Sequence, residues 1–302
     1  MSLLTLGSVA FDTLETPFGR REHTLGGSGV YASFAASFFT NSALVAAVGD
    51  DWLPEYSGLL RSRGVDLEGL ELRANAKTSS WSGRDLSNMN DRKTLNYDGG
   101  VMAGDYVPIV PDSYKDIEYV LLGNMSPLSG MSLLDALPST KLVVADTMDF
   151  YIRNMRDSLM TLLTRVDGLI LNDSEAELLT GIKNSSLLAA RKLLEFGPKF
   201  VVVKRGEYGA FWMTKEGEIY IMPAYPTTEV VDPTGAGDSF AGALLGYLAE
   251  AKVLSPESIK QALLYATVVA SLNIEGFSLE RFQFVKRTEI DERAKRFRAM
   301  LA

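Results

Sequence analysis

A rigid turn, two glycines and a carboxylate stand together in Asp232-Pro233-Thr234-Gly235-Ala236-Gly237-Asp238-Ser239. Phe240, Ala243, Leu244, Tyr247 and Leu248 then recur at helical spacing, so a helix opens at this stretch. Pro233 fixes the approach of the chain, while Gly235 and Gly237 admit backbone conformations and close ligand approach that other residues forbid. At a helix N-terminus the amides of Gly235, Ala236 and Gly237 lack helical acceptors and form an anion cradle. Asp238 lies at its edge. A cradle for migrating negative charge, beside an acid that takes a proton from an attacking hydroxyl, is what phosphoryl transfer requires. The same residue types also make an ordinary capped helix entry. No Gly-Lys-Ser/Thr follows the glycines, so this is not a Walker A loop.

From Asp232 to Leu244 the stretch resembles the C-terminal signature of the PfkB carbohydrate kinases, the ribokinase-like family. The resemblance implies that Asp238 is the catalytic base and that Gly235, Ala236 and Gly237 form the anion hole. Asn172-Asp173-Ser174-Glu175 is similar to the family's Asn-x-x-Glu motif. It implies that Asn172 and Glu175 belong to the shell around Mg·ATP, with Glu175 reaching the metal through water. By spacing alone, Glu175 is the capping-box partner of Asn172. The buried run Phe200–Lys204 leads into a turn bearing Gly206 and Gly209. The matching family loop lies by the ATP phosphates, where Lys204 would supply a mobile positive charge; many relatives carry Thr there.

Gly26-Gly27-Ser28-Gly29 is similar to the family's N-terminal Gly-Gly signature, which implies sugar-hydroxyl contacts at Gly26, Gly27 and Ser28. Asp12 matches the acid that accepts hydrogen bonds from the sugar, a task its two acceptor oxygens suit. The chain departs from ribokinases at Ala10 and Tyr31, where they usually carry sugar-binding asparagines. Phe11, Tyr31 and Trp81 would line a more apolar acceptor pocket, as a nucleoside base requires, or are core aromatics. Arg84 is a further candidate substrate contact.

These residues need a frame. Short apolar runs at Leu3–Val9, Ala43–Val48, Ile117–Leu122, Lys141–Ala145, Gly168–Leu171 and Phe200–Lys204 alternate with helical patterns. That is the signature of an α/β fold with a mostly parallel sheet between helical layers, and ligands then bind at the carboxyl ends of strands. The resemblance implies a ribokinase-like three-layer sandwich spanning 1–302 as one kinase domain. Segments at about 13–25 and 71–105 break the pattern and are expected to form a small β-strand lid. Thr78–Arg84 and Lys93–Asn96 read as its strands, joined by Ser87–Asp91. Lids in this family pair into homodimers or cover a monomer's site.

Composition narrows the partners. The 302 residues carry 30 Lys+Arg against 38 Asp+Glu, a net charge of −8, which opposes nucleic-acid and anionic-membrane surfaces. No cysteine is present, so disulfides and thiolate chemistry are excluded. His23 is the single histidine and sits in a polar stretch. The N-terminus shows no basic signal-peptide region and no apolar run approaches membrane-spanning length, so a soluble cytoplasmic protein is expected.

The expected activity is ATP-dependent phosphorylation of a hydroxymethyl group on a small sugar or sugar-like substrate, with a nucleoside as the alternative acceptor. ATP and Mg2+ are the cofactors; K+ joins them because relatives hold a monovalent cation near the loops matching Asp232 and Gly276. Two other classes compete. Gly27-x-Gly29-x-x-Ala32 with Asp50 fits a dinucleotide fingerprint, but residues 20–25 are no buried strand and the fingerprint leaves the octapeptide unexplained. A binding-only sugar or nucleotide sensor is opposed by the presence of Asp238 with its loop.

Overall fold

The computed structural model describes residues 3–85, 89, 92–104 and 106–301. The chain opens with the buried strand β1 (Leu3–Leu6), then leaves the core to build a hairpin from β2 (Ala10–Thr16) and β3 (Gly19–Gly26). Helix α1 (Ser28–Ala36) returns it to β4 (Ser42–Val48), parallel to β1. Next come α2 (Pro54–Ser62) and two short strands, β5 (Val65–Asp66) and β6 (Leu70–Leu72), both paired with β4. A second excursion forms β7 (Ser79–Asp85) and β8 (Arg92–Asp98).

The chain then re-enters the core. Strands β9 (Tyr119–Leu122), β10 (Leu142–Asp146), β11 (Gly168–Asn172) and β12 (Phe200–Lys204) run parallel to one another. They are separated by α3 (Pro127–Asp135), α4 (Asp149–Asn154), α5 (Arg156–Leu163), α6 (Asp173–Thr180) and α7 (Ser186–Leu194). Antiparallel β13 (Ala210–Thr214) and β14 (Ile219–Met222) close one edge, and α8 (Ala236–Ala251), α9 (Pro256–Asn273) and α10 (Arg287–Met300) follow.

The large sheet has the order β14-β13-β12-β11-β10-β9-β1-β4-β5. From β1 the chain steps one way to β4; from β9 it steps the other way. Right-handed crossovers therefore put α1 on one face of the sheet and α3 to α7 on the other. The reversal lies between β1 and β9, which is where an open α/β sheet leaves a crevice at its carboxyl ends.

Helix α1 is buried along its whole length, so it carries no amphipathic stripe. It packs on α8, and α8 on α9. The close approach is made by Gly242 and Gly246 of α8, which face Ala32 and Ala36 of α1. This contact carries the N-terminus of α8, and with it Asp238, to the crevice beside β1 and β9.

The segments expected to form the lid build a separate four-stranded sheet, β3-β2-β7-β8. The structure corrects the expected boundaries. The first core strand ends at Leu6, because Gly7 and Ser8 turn against Ser28 and Gly29 and lead straight into β2. The lid spans residues 10–26 and 79–98, while Leu70–Leu72, expected near its start, belongs to the large sheet. Strand β3 was unreadable as a strand because it is a solvent-facing edge whose residues Arg20 to His23 are all exposed. The connection expected at Ser87–Asp91 lies, apart from Met89, outside the described residues.

A Cβ at Gly242 would fall on the Ala32 carbonyl. Gly242→Ala is accordingly expected to destabilise the fold by about 1–3 kcal/mol through overpacking, read as a lowered midpoint in urea unfolding. An unchanged midpoint would show that α1 and α8 have room to part.

Candidate active site

Gly235 caps α8 in a left-handed conformation (φ 77°, ψ −1°). The ring of Tyr31 lies directly beneath it: a Cβ at Gly235 would stand 2.5 Å from Tyr31 Cγ, Cδ1 and Cδ2. Backbone angle and steric space thus both require glycine. The amides of Gly235 and Gly237 donate to no protein acceptor among the described residues, whereas the Ala236 amide turns to the Pro233 carbonyl at 3.2 Å. The cradle presents two open amides rather than the expected three.

This loop is held from below. The Asp232 carboxylate accepts from the Thr234 amide at 2.9 Å and from the Ser278 amide at 3.4 Å. Asn273 donates to the Thr234 carbonyl at 2.8 Å and accepts from the Ser239 hydroxyl at 3.3 Å. The Ile274 carbonyl accepts from the Val231 and Asp232 amides, at 2.8 and 3.2 Å.

Asp238 stands in the first turn of α8. Burial and the neighbouring Asp146 push its carboxyl up to about 6, against the pull of Lys204 and Arg92. Lys204, at the end of β12, forms an ion pair with Asp146, at the end of β10, at 2.9 Å. Its ammonium sits over the anion loop, 3.0 Å from where a Cβ at Gly237 would be. Burial alone would favour the neutral amine, but Asp146 and Glu175 outweigh it and hold the charge.

Asn172 and Glu175 form a capping box at the start of α6. The Glu175 carboxylate accepts from the Asn172 amide, and the Asn172 side chain from the Glu175 amide, each at 2.8 Å. Burial and Asp146 raise the Glu175 carboxyl. One of its oxygens is committed to the cap, which leaves the other for a metal-bound water. No group of three or more His, Cys, Asp or Glu among the described residues is disposed to hold a metal directly. Gly206 opens the turn after β12; Gly209 lacks a side chain because its backbone packs on Met222 and Pro223.

Asp12 projects from β2, in the small sheet, and not from the end of a core strand. It is 3% exposed. Burial and the charge of Asp232 push its carboxyl up to about 7, opposed by Arg92; the charge of Asp238 adds to the rise. Gly26 must be glycine because a Cβ there would overlap the Asp12 carboxylate. Gly27 caps α1, and Ser28 is tied to Ser8: its amide donates to the Ser8 hydroxyl at 3.0 Å and its hydroxyl accepts from the Ser8 amide at 3.1 Å. Asp12, Gly26, Gly27, Lys204 and Gly235–Asp238 are thus brought to one crevice.

Two expected contacts are not. Arg84 lies on the face of the lid opposite Asp12 by strand alternation and pairs with Glu15 at 2.9 Å. Tyr31 is 1% exposed and sits under Gly235, so it props the loop and does not line a pocket. Its hydroxyl is buried without a well-formed hydrogen bond; the nearby Ser278 hydroxyl is committed to the Leu25 carbonyl. Phe11 stacks on His23 at 4.0 Å and packs against Trp52 and Tyr56, on the other side of β2 from Asp12. Of the three aromatics, Trp81 alone is paired beside Asp12 across the lid.

Sequence reasoning missed Asp146, Arg92, Asp85, Asn124 and Thr147. Arg92 stacks over Trp81 at 4.7 Å, and its charge acts on Asp12, Asp85, Asp232 and Asp238. Asp85 is buried on the lid, its carboxyl pushed up to about 6 by burial and Asp232. Asn124 Oδ1 and Thr147 Oγ1, just past β9 and β10, are buried without partners among the described residues. Asp146 carried a usable signal: an acid ending a buried parallel strand. Arg92 carried none, because its partners are remote in sequence.

The pfkB family carbohydrate kinases match residues 5–281. A cytidine kinase of Thermococcus kodakarensis is 30% identical over 262 residues, covering 82% of this chain and 88% of that protein. The nucleoside kinase of Methanocaldococcus jannaschii, an archaeal member of the ribokinase family, superposes with a TM-score of 0.78 at 19% identity, over 98% of this chain and 99% of that one. Arabidopsis thaliana ribokinase, solved with ribose and ATP, gives 0.77 at 20% identity over 97% and 98%. The two structural likenesses establish a shared ribokinase fold.

The raised Asp12 carboxyl has a consequence for stability. Its folded value, about 7, lies above the ordinary 3.8, so the folded state favours the neutral acid, and the destabilisation grows as pH rises between those values. Asp12→Asn is expected to raise the melting temperature at pH 8, a gain on the order of 1–4 kcal/mol. The gain should shrink steadily as the pH is lowered toward 4. A gain independent of pH would mean that the Asp12 carboxylate is not buried as described.

Proposed function

This chain belongs to the pfkB family of carbohydrate kinases, and from that premise we propose that Asp238 is the base for transfer of the ATP γ-phosphoryl to a hydroxymethyl group of a small sugar or sugar-like acceptor. The chain is an ATP-dependent kinase; the acceptor and the residue roles are the proposal. One observation carries it: Asp238, the two open amides of Gly235 and Gly237, and the buried carboxylate of Asp12 converge at one end of α8.

Asp12 accepts hydrogen bonds from acceptor hydroxyls and orients the sugar. Asp238, as carboxylate, accepts the proton of the hydroxymethyl group as its oxygen attacks the γ-phosphorus. The new phosphorus–oxygen bond forms as the bond to the β–γ bridging oxygen breaks, leaving ADP. Gly235 and Gly237 donate to the charge on the transferred group, and Lys204 adds a fixed positive charge beside them. Asn172 and Glu175 sit where the nucleotide phosphates enter. Magnesium, when bound, neutralises phosphate charge, and the free oxygen of Glu175 would hold one of its waters. The lid excludes water that would otherwise be phosphorylated in place of the acceptor.

A nucleoside is the second reading. It is favoured by the match to a cytidine kinase over 82% of this chain. Trp81, beside Asp12 on the lid, offers an aromatic face for a base, and Tyr31 replaces one of the amide contacts expected for free ribose.

ADP release should be measured with Mg·ATP and a panel of cytidine, adenosine, inosine, ribose, deoxyribose and fructose. Faster turnover with a nucleoside than with every sugar selects the second reading; no stimulation by any hydroxymethyl acceptor would sink the proposal. Asp238→Asn keeps the shape of the site and should lower kcat by about 10²–10⁴-fold. For the wild type, kcat/KM should fall as pH drops through about 6, where Asp238 takes up its proton. Activity that is flat from pH 8 to pH 5 would count against Asp238 as the base.

A further inference from the structure

We infer that Asp146 is a positioning residue that holds the Lys204 ammonium against the anion loop, where it meets the terminal phosphoryl of the nucleotide. The inference rests on the kinase reading above and adds to it a residue that neither the sequence motifs nor the reaction scheme requires.

The placement is unusual for an ion pair that merely supports a fold. Asp146 is level with Ile170, and Ile170 with Val202, so Lys204 lies two residues farther along β12. Its side chain reaches back across β11, past Asn172, to meet Asp146 at 2.9 Å. Asp146 is itself fixed, since its other carboxylate oxygen accepts from the Thr147 amide at 2.8 Å. The order of constraint runs from backbone to Asp146, from Asp146 to Lys204, and from Lys204 to the loop. Gly237 completes it. A Cβ at that position would stand 3.0 Å from Lys204 Nζ, 3.7 Å from Cε and 3.8 Å from Cδ, so the lysine lies along the glycine.

An ammonium has three donor hydrogens, and Asp146 takes one; Lys204 donates to no other acceptor among the described residues. The rest remain for an incoming anion at the point where the Gly235 and Gly237 amides are open. The local balance makes the cation necessary. Asp146, Glu175 and Asp238 are three acids acting on this one lysine, and a phosphoryl group entering among them is repelled unless Lys204 stands between. A buried ion pair contributes little net stability to a fold, because desolvation offsets the attraction. Holding a lysine in one rotamer toward a ligand is a different return for the same desolvation.

The test separates the γ-phosphoryl from the rest of the nucleotide. Affinities for AMP-PNP and ADP, each with Mg2+, would be measured by calorimetry on the wild type, Asp146→Asn, Lys204→Met and the double variant. Asp146→Asn should weaken AMP-PNP by about tenfold, the loss expected when a charge-assisted hydrogen bond is misaligned, and leave ADP within about twofold. Lys204→Met should lose at least as much. The double variant should be no worse than Lys204→Met alone, because Asp146 acts through the lysine. If a single variant fails to fold through its unpaired charge, the double variant, which leaves neither charge, still reports the selectivity. Equal losses on both nucleotides, additive losses in the double variant, or a double variant that keeps wild-type selectivity would overturn the inference. A wild type that binds neither nucleotide would overturn the kinase reading, and this inference with it.

Discussion

The Asp232 carboxylate has no exposure to solvent and accepts from two amides, that of the neighbouring Thr234 and that of Ser278, remote in the chain. A buried carboxylate must be hydrogen-bonded or it destabilises the fold. Here that requirement clamps the approach to α8 onto the segment after α9. Asn273 adds a second clamp through the Thr234 carbonyl and the Ser239 hydroxyl. Between the clamps, Gly235 takes its left-handed turn over the ring of Tyr31. The open amides, Asp238 and the start of α8 are all set by this one arrangement, and the α1–α8 contact brings it to the crevice between β1 and β9.

The crevice is strongly acidic. Asp12, Asp85, Asp146, Asp232, Asp238 and Glu175 converge from the lid, the sheet, α6 and the entry to α8, and Lys204 and Arg92 act among them as cations. Burial raises several of the acids, and their mutual repulsion raises them further. The cations differ in kind. Lys204 is fixed inside the core by Asp146, whereas Arg92 is exposed on the lid and stacked on Trp81. One belongs to the floor of the site and the other to the element that covers it.

Much of the fold was legible because parallel strands buried on both faces read as unbroken apolar runs, as at Ala43–Val48 and Phe200–Lys204. The lid was legible only as an interruption. Arg20 to His23 form a strand with no apolar alternation, since an edge strand in solvent has no core face to mark. Its start was misplaced for the opposite reason: Val9 is apolar and continues the first run, although the chain has already turned at Gly7 and Ser8.

The site divides the same way. By itself the sequence determined that Gly235, Gly237 and Asp238 stand together at a helix entry, because they are neighbours in the chain. It also determined the capping box at Asn172 and Glu175, a local interaction over three residues. Only the tertiary structure decided that Tyr31 supports Gly235, that Arg84 lies on the outer face of the lid and that Asp146 meets Lys204. Those outcomes depend on strand order, register and helix packing, which join residues tens to hundreds of positions apart. Local pattern specifies what a segment is, and the pairing of segments specifies what its side chains can touch.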